Sequence, residues 1–171
     1  MSKLSKYAKD LGECLKKESV EELDKFFALD ETSEVENRFE GFNNETDMET
    51  PYFYHYVGRY DKIARIMQEC TSACFKTGRD GLPGNNDSGG LSACYLWNFL
   101  GLFPISGQDS MFLGIPKAKK TILHLSNGKD LTIVSNVSNG QVKSVSLNGK
   151  KVNGYQIFVS ELLDGGEIIF S

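Results

Sequence analysis

Residues 81–104 read GLPGNNDSGGLSACYLWNFLGLFP, a polar loop that runs directly into an apolar segment. The loop places four glycines and one proline around the single carboxylate of Asp87. Glycine lets the backbone adopt positive φ and approach another group closely, and Asp87 or Ser88 can cap a helix that follows. The segment from Leu91 to Leu102 is apolar on nearly all sides, which predicts a buried helix.

Two interpretations of this loop follow from its composition. The simpler one is a capping loop built from permissive turn residues. The other is a binding site, because the four polar side chains of residues 85–88 would lie at the mouth of an apolar helical bundle.

The hydrophobic period of the chain changes near residue 118. Before it, apolar residues recur at helical spacing, as in the helix face formed by Ile63, Ile66, Met67, Cys70 and Cys74. A shorter helix is predicted from about Met48 to Val57, and a capping box at Ser19 and Glu22 predicts an earlier one.

After residue 118 apolar and polar residues alternate, which is typical of strands. Asn-Gly pairs at 127–128, 139–140 and 148–149 predict hairpin turns. The sequence therefore predicts an α+β protein, with a helical domain over residues 1–117 and a small antiparallel β meander over residues 118–171.

A second polar cluster, NNETDMETPY at residues 43–52, has the same layout as the first. It precedes the aromatic run YFYHY, so a solvated acidic helix cap is one interpretation. The other is a carbohydrate or calcium site, because such sites use carboxylates, amides and aromatic rings.

Charge and composition exclude several classes of function. The net charge of −4 and the lack of a lysine or arginine cluster argue against nucleic acid as a partner. No apolar stretch is long enough to predict a membrane span, and the start MSKLSKYAKD lacks the apolar region of a signal peptide, so a cytoplasmic location is expected. The four cysteines show no C-x-x-C spacing, which favours buried thiols over a metal site or disulfides.

Both polar clusters carry a resemblance to a known family. The segment FNNETDMETPYFYHYVGRYDK is similar to the N-E-P-D-M-E-x-P-Y segment of glycoside hydrolase family 92, the calcium-dependent exo-acting α-mannosidases. The segment from Thr77 to Pro116, with GLPGNNDSGGLSACYLWNFLGLFP, resembles the later G-L-P-G-N-D-D-S-G motif of the same enzymes. The resemblance runs from about Arg38 to Ser171.

The resemblance implies a fold and a set of roles. The helical region would be a portion of an (α/α)6 barrel, and the reaction an inverting hydrolysis of α-linked mannosides in a mannose-containing glycan. Asp87 matches the acid expected to act as general base. Asn44 and Glu45 match residues that bind mannose and Ca²⁺, and Asn85 and Asn86 match the substrate-binding loop.

Departures from the family pattern leave an alternative open. Asn86 replaces an acid, Thr46 and Tyr60 replace prolines, and Cys94 replaces a tryptophan. In the family, the general acid and a β-sandwich domain come before the first motif. Here only 43 residues come before that motif, which is too few to contain them. The resemblance therefore implies the C-terminal part of an α-mannosidase, and the alternative is a non-catalytic remnant or a carbohydrate- or calcium-binding module.

This interpretation also predicts a partner. Helix faces around Ile63, Met67, Cys70 and Trp97 would lack their usual neighbours, and exposed apolar faces recruit partners. Self-association, or binding of the missing N-terminal part of the enzyme, is expected.

Overall fold

A computed structural model describes residues 16–27, 45–138 and 140–171, with the side chains of residues 45, 46, 64, 65 and 69 excepted. The helices are α1 (16–26), α2 (Glu45–Glu49), α3 (Tyr60–Cys74), α4 (Gly90–Leu100) and α5 (Val159–Leu163), with 3-10 helices at Thr50–His55 and Asp87–Gly89. The strands are β1 (Leu102–Pro104), β2 (Ser110–Leu113), β3 (Lys120–His124), β4 (Asp130–Ser135), β5 (Val145–Leu147), β6 (Lys150–Lys151), β7 (Gln156–Phe158) and β8 (Gly166–Phe170). The α+β class predicted from the sequence is confirmed.

The helices agree with the predicted positions in most places. The helical stretch predicted from Met48 is one turn of α-helix followed by a 3-10 helix, in which Pro51 occupies the first turn. Helix α4 ends at Gly101, whose φ of 72° allows its N–H to bond the carbonyls of Trp97 and Asn98. The capping box at Ser19 is wrong, because α1 already includes residues 16–18, which are good helix formers.

Strands form two sheets. The first is antiparallel, in the order β1-β2-β7, and pairs Phe103 with Phe112 and Met111 with Ile157. The second has the order β3-β4-β8-β5-β6. Two of the predicted hairpins are confirmed, since the turn at Asn127 and Gly128 joins β3 to β4, and the turn at Asn148 and Gly149 joins β5 to β6.

The five-stranded sheet is not a simple meander. Strand β8, the last of the chain, lies between β4 and β5 and runs parallel to β4 and antiparallel to β5. The third Asn-Gly pair therefore lies in a connection that passes β8 and does not form a hairpin. Its first residue, Asn139, is outside the described residues.

A continuous hydrophobic core joins the helices to both sheets. The inner face of the larger sheet contributes Leu131, Ile133, Val145, Ile168 and Phe170, each at most 2% exposed. In the first sheet, β1 and β2 come before residue 118 in the sequence and β7 comes after it. A domain boundary between residues 117 and 118 stays a prediction.

The helix faces expected to be open are only partly so, and Cys70 and Trp97 on them are half-buried. Ile63 and Met67 are buried, because α3 packs on the 3-10 helix that precedes it and on the core. Helix α4 is exposed on one side instead, where Leu96 is 59% accessible. Cys94 is buried and Cys70 and Cys74 are half-buried, with no disulfide among these three, while Cys14 lies outside the described residues. No helix in the described part of the chain could span a membrane.

Candidate functional site

The two polar clusters of the sequence lie at the starts of neighbouring helices. Helix α2 contacts α4, and a Cβ on Gly90 would lie 3.4 Å from the Cε atom of Met48. Met48, in the second half of α2, therefore lies beside Gly90, three residues after Asp87. Asn44 is outside the described residues, and Glu45 is described only as the first backbone position of α2.

The loop before α4 is closed at its base by the backbone. The N–H of Lys76 donates to the carbonyl of Gly81 at 2.9 Å, and the N–H of Gly81 donates to Gly78 at 3.3 Å. A Cβ on Gly81 would lie 2.2 Å from the carbonyl oxygen of Lys76, so only glycine fits there. The base of the loop thus has a fixed geometry.

Asn86 joins the loop to the first turn of α4. Its Oδ1 accepts a hydrogen bond from the N–H of Ser92 at 3.0 Å, and its Nδ2 donates to the Ser92 hydroxyl at 3.1 Å. The sequence suggested Asp87 or Ser88 as the capping residue, but neither caps the helix. Asn86 satisfies one of the helix N–H groups that have no intrahelical partner.

Asp87 lies between this Asn86–Ser92 clasp and a strained turn. It begins the 3-10 helix, and the next residue, Ser88, has a φ of 52°, which is uncommon for a residue other than glycine. The N–H of Gly89 closes the turn on the carbonyl of Asn86 at 2.9 Å. Asn85 and Asp87 are both exposed, and neither side chain has a hydrogen-bond partner within the described residues. An exposed carboxylate in a fixed turn can accept a proton from water or bind a hydroxyl group.

A buried polar contact connects the 3-10 helix at Thr50–His55 to the C-terminal half of α4, and the sequence contains no direct signal for it. The Tyr52 hydroxyl donates to Oδ1 of Asn98 at 2.5 Å, and Nδ2 of Asn98 donates to the carbonyl of Cys94 at 2.8 Å. Burial, with smaller effects of Cys94 and Tyr60, holds the pKa of Tyr52 well above its usual value. Tyr52 therefore remains a neutral donor that ties the 3-10 helix to α4.

The aromatic run around Tyr52 forms a stack against the first sheet. The ring centroid of Tyr52 lies 4.1 Å from that of Phe103, and His55 lies 4.2 Å from Phe112. Burial lowers the pKa of His55 to about 4, although a backbone hydrogen bond to Leu113 acts in the opposite direction. Its Nε2 atom is buried and has no partner among the described groups. These aromatic residues pack the 3-10 helix at Thr50–His55 against the first sheet and do not form part of the exposed surface at Asp87.

The described residues give limited support for a metal site. Within them, no three His, Cys, Asp or Glu side chains lie close enough together to hold an ion. The predicted calcium ligands are Asn44 and Glu45, whose side chains are outside what the structure describes. Their amide and carboxylate oxygens fit the chemistry of Ca²⁺, but two side chains are far fewer than the six to eight oxygens it takes.

The chain matches the predicted family. The catalytic domain of glycosyl hydrolase family 92 matches residues 10–171. An uncharacterized secreted glycosidase from Arthroderma benhamiae is 30% identical over 131 residues, which cover 73% of this chain and 17% of that protein.

Solved structures give the same result. The chain is similar to a family GH92 α-mannosidase from Bacteroides thetaiotaomicron, solved with mannoimidazole, with 26% identity and a TM-score of 0.69 over 75% of this chain and 17% of that one. An inverting GH92 mannosidase from the same organism has 27% identity and a TM-score of 0.64 over 72% and 17% of the two chains. A third GH92 glycosyl hydrolase, 17% identical, shares the fold with a TM-score of 0.76 over 86% and 24%. The chain thus spans about a sixth of the first two enzymes, and with its match to the catalytic domain over residues 10–171 it belongs to glycosyl hydrolase family 92.

Proposed function

We propose that this chain supplies the general base of an α-mannosidase-like active site, with Asp87 activating the water that attacks an α-linked mannoside. The observation that carries the proposal is the position of Asp87 in a chain of this family. Its carboxylate is exposed in a turn that Asn86 and Gly89 hold in place, at the point where α2 meets α4.

The proposed reaction is an inverting hydrolysis. Asp87 takes a proton from a water molecule, whose oxygen attacks the anomeric carbon, while the glycosidic bond breaks and a carboxylic acid protonates the leaving oxygen. In such enzymes the two carboxyl groups lie roughly 6.5–9.5 Å apart, which leaves room for the water. We assign the role of base to Asp87 and assign the acid to no described residue.

The polar residues around Asp87 would bind the sugar. Asn85 is exposed and its amide makes no hydrogen bond within the described residues, so it can bond a mannose hydroxyl. The Oδ1 and Nδ2 atoms of Asn86 both bond Ser92, so this side chain holds the turn in place. Asn86 is also exposed, and we propose that it contacts the substrate from this position. We propose that Asn44 and Glu45, which match sugar-binding positions of the family motif, bind the same sugar.

Asn44 and Glu45 are also the residues of this chain that we propose as calcium ligands. Their oxygens would supply part of the coordination sphere, and the remaining ligands would come from water, substrate or other protein oxygens. A bound calcium ion would supply positive charge for the sugar hydroxyls. Asp87 would act on the water as a separate group.

The proposed partners follow from the family and from the coverage of its members. The substrate would be a mannose-containing oligosaccharide or glycan. The chain spans 17% of the solved mannosidase, so we propose that activity depends on the counterpart of that enzyme's N-terminal part. A second copy of this chain is the other proposed partner.

The test is a comparison of carboxylate variants in an assembled enzyme. The preceding part of a family GH92 mannosidase is joined to this chain, and mannose release from an α-linked mannobiose is measured with calcium. We expect Asp87→Asn to lower kcat by about 10²–10⁴-fold with little change in calcium affinity. Glu45→Gln should weaken calcium or substrate binding first. Asp80→Asn is the matched control, since Asp80 is exposed in the same connection between α3 and α4.

Two outcomes would contradict the assignment. If Asp87→Asn loses calcium while Glu45→Gln keeps it and loses kcat, the two roles are exchanged. If the fusion folds and binds mannose or calcium but releases no mannose, the chain is a binding module or a remnant. The 171-residue chain alone should release little mannose, and full activity from it would place the general acid within it.

A further inference from the structure

A groove lies toward the C-terminal end of α4, away from Asp87. It has a volume of about 750 Å³ and lies between α3 and the segment 115–119, with Asn98 among its lining residues. Residues in a helix rise 1.5 Å each, so Asn98 is roughly 14 Å along α4 from the turn at Asp87. The groove is therefore separate from the proposed catalytic surface.

One wall of this groove is anchored by the backbone at both ends. The N–H of Lys117 donates to the carbonyl of Phe99 at 3.0 Å, and the N–H of Ser135 donates to the carbonyl of Lys119 at 2.9 Å. Pro116 packs on Gly101 so closely that a Cβ there would lie 2.6 Å from Pro116 Cδ. The two lysines thus start from fixed backbone positions, which reduces the entropy lost when a ligand binds.

The other walls are also held in place. Thr71, 2% exposed, donates its hydroxyl hydrogen to the carbonyl of Met67, and Asn98 is held between Tyr52 and Cys94. The N–H of Asn136 donates to the carbonyl of Phe170 at 2.8 Å. These bonds leave the groove with a fixed shape.

The charged groups of the groove have one sign. Among its described lining residues, Lys117 and Lys119 are the ionisable ones, and neither forms an ion pair within the described part of the chain. The Lys117 ammonium lies 5.4 Å from the centroid of the Tyr95 ring, and burial lowers the pKa of this lysine. The two lysines are two positions apart in the chain and both are exposed, so they make this wall of the groove positively charged and attractive to an anion. Hydroxyl and amide groups of Ser72 and Asn136 add hydrogen-bonding capacity.

We propose that this groove is a second binding site, for a small molecule that carries a carboxylate or phosphate group. Lys117 and Lys119 bind the anionic group, and the polar side chains of α3 and Asn136 bind the remainder of the ligand. Charge-assisted hydrogen bonds to ammonium groups are the chemistry that would select such a ligand over a neutral sugar.

The test is an NMR titration of the ¹⁵N-labelled full chain with inorganic phosphate, with succinate and with neutral mannose. We expect saturable shifts of the amides of Thr71, Lys117 and Asn136 with at least one anion and not with mannose. The Lys117→Gln/Lys119→Gln variant should bind that anion about tenfold more weakly. The matched control is Lys150→Gln/Lys151→Gln, which removes two exposed lysines from β6 outside the groove.

Each result decides the proposal. A response to phosphate alone or to succinate alone supports the site and identifies which anion it prefers. The proposal is overturned if neither anion gives saturable shifts, or if the control variant weakens binding as much as the groove variant. Both variants change only exposed lysines, and a native-like amide spectrum shows that each is folded. Binding here does not depend on Asp87, so it tests the groove independently of the hydrolase proposal.

Discussion

His55 shows how one half-buried residue can make stability depend on pH. Its ring lies on Phe112, its Nε2 is buried without a partner among the described groups, and its pKa is lowered to about 4. The folded protein therefore binds the proton more weakly than the unfolded chain, in which the pKa is about 6.5. Stability from neutral His55 is complete above pH 6.5 and is lost as the pH falls toward 4.

We predict that His55 lowers the free energy of unfolding by up to about 3 kcal/mol between pH 7 and pH 4. Because the ring is partly exposed to water, the decrease should be smaller than this limit. His55→Phe keeps an aromatic ring in the stack and removes the titration, so its unfolding free energy should depend less on pH. Urea denaturation at a series of pH values measures this slope.

The control uses the other of the two histidines of the chain. His124 is on β3 with a side chain 83% exposed, and its Nδ1 lies 2.7 Å from Asp130. His124→Asn should leave most of the slope between pH 6.5 and pH 4 in place. An unchanged slope in His55→Phe would show that other groups cause the acid sensitivity.

At the scale of elements, the start of α4 depends on the Asn86–Ser92 clasp. The helix has Gly89 at its N-cap and no side-chain cap from that residue, so Asn86 supplies the acceptor from outside the helix. Because the same residue precedes Asp87, helix capping and the placement of the proposed base are coupled.

We predict that Asn86→Ala destabilises the protein by about 1 kcal/mol, the usual cost of losing a helix cap. Asn86→Asp keeps the oxygen acceptor for the Ser92 N–H and should cost less. Urea denaturation provides the measurement. Asn85→Ala is the matched control, since Asn85 is exposed and makes no side-chain hydrogen bond within the described residues. Equal effects of the two alanine substitutions would refute a capping role for Asn86.

Another element, α1, is attached to the rest of the chain by a small polar network. Both the Tyr54 hydroxyl, at 2.7 Å, and the Lys62 ammonium donate to the carboxylate of Asp24. The side chains of Lys62 and Asp24 are only 16% and 20% exposed, so water screens this ion pair less than a surface pair. Asp24 thereby links α1 both to the 3-10 helix at Thr50–His55 and to α3.

At the scale of the whole molecule, α4 leaves an apolar face exposed. Leu96 is 59% exposed in the middle of the helix, while Leu91 and Cys94 are buried on its other side. The helix carries no charged residue to solvate the exposed face. Apolar surface of this kind favours association.

We predict that the chain self-associates through this face as its concentration rises. Leu96→Gln should shift the molecular mass measured by light scattering toward the monomer. Leu163→Gln is the control, since Leu163 is 47% exposed on α5, outside this face. A wild-type chain that stays a monodisperse monomer at every concentration would contradict the prediction.

The sequence by itself determined the α+β class, the positions of most helices, two hairpins and the family. These features depend on local spacing: a 3.6-residue period, an Asn-Gly turn or a long motif is complete within one stretch of chain. The positions of Asp87 and Asn86 in the loop were also evident from the sequence. The roles of Asp87, Asn44, Glu45 and Asn85 remain predictions.

Only the tertiary structure decided how distant segments meet. Strand β8 pairs with β4 on one side and with β5 on the other, and nothing in the alternation of Gly166–Phe170 indicates which strands it joins. The Tyr52–Asn98 bond and the groove beside Lys117 likewise depend on residues that are distant in sequence and meet only after packing. The sequence pattern shows which face of an element is apolar, whereas the identity of its neighbour is set by the shape and free energy of the whole core.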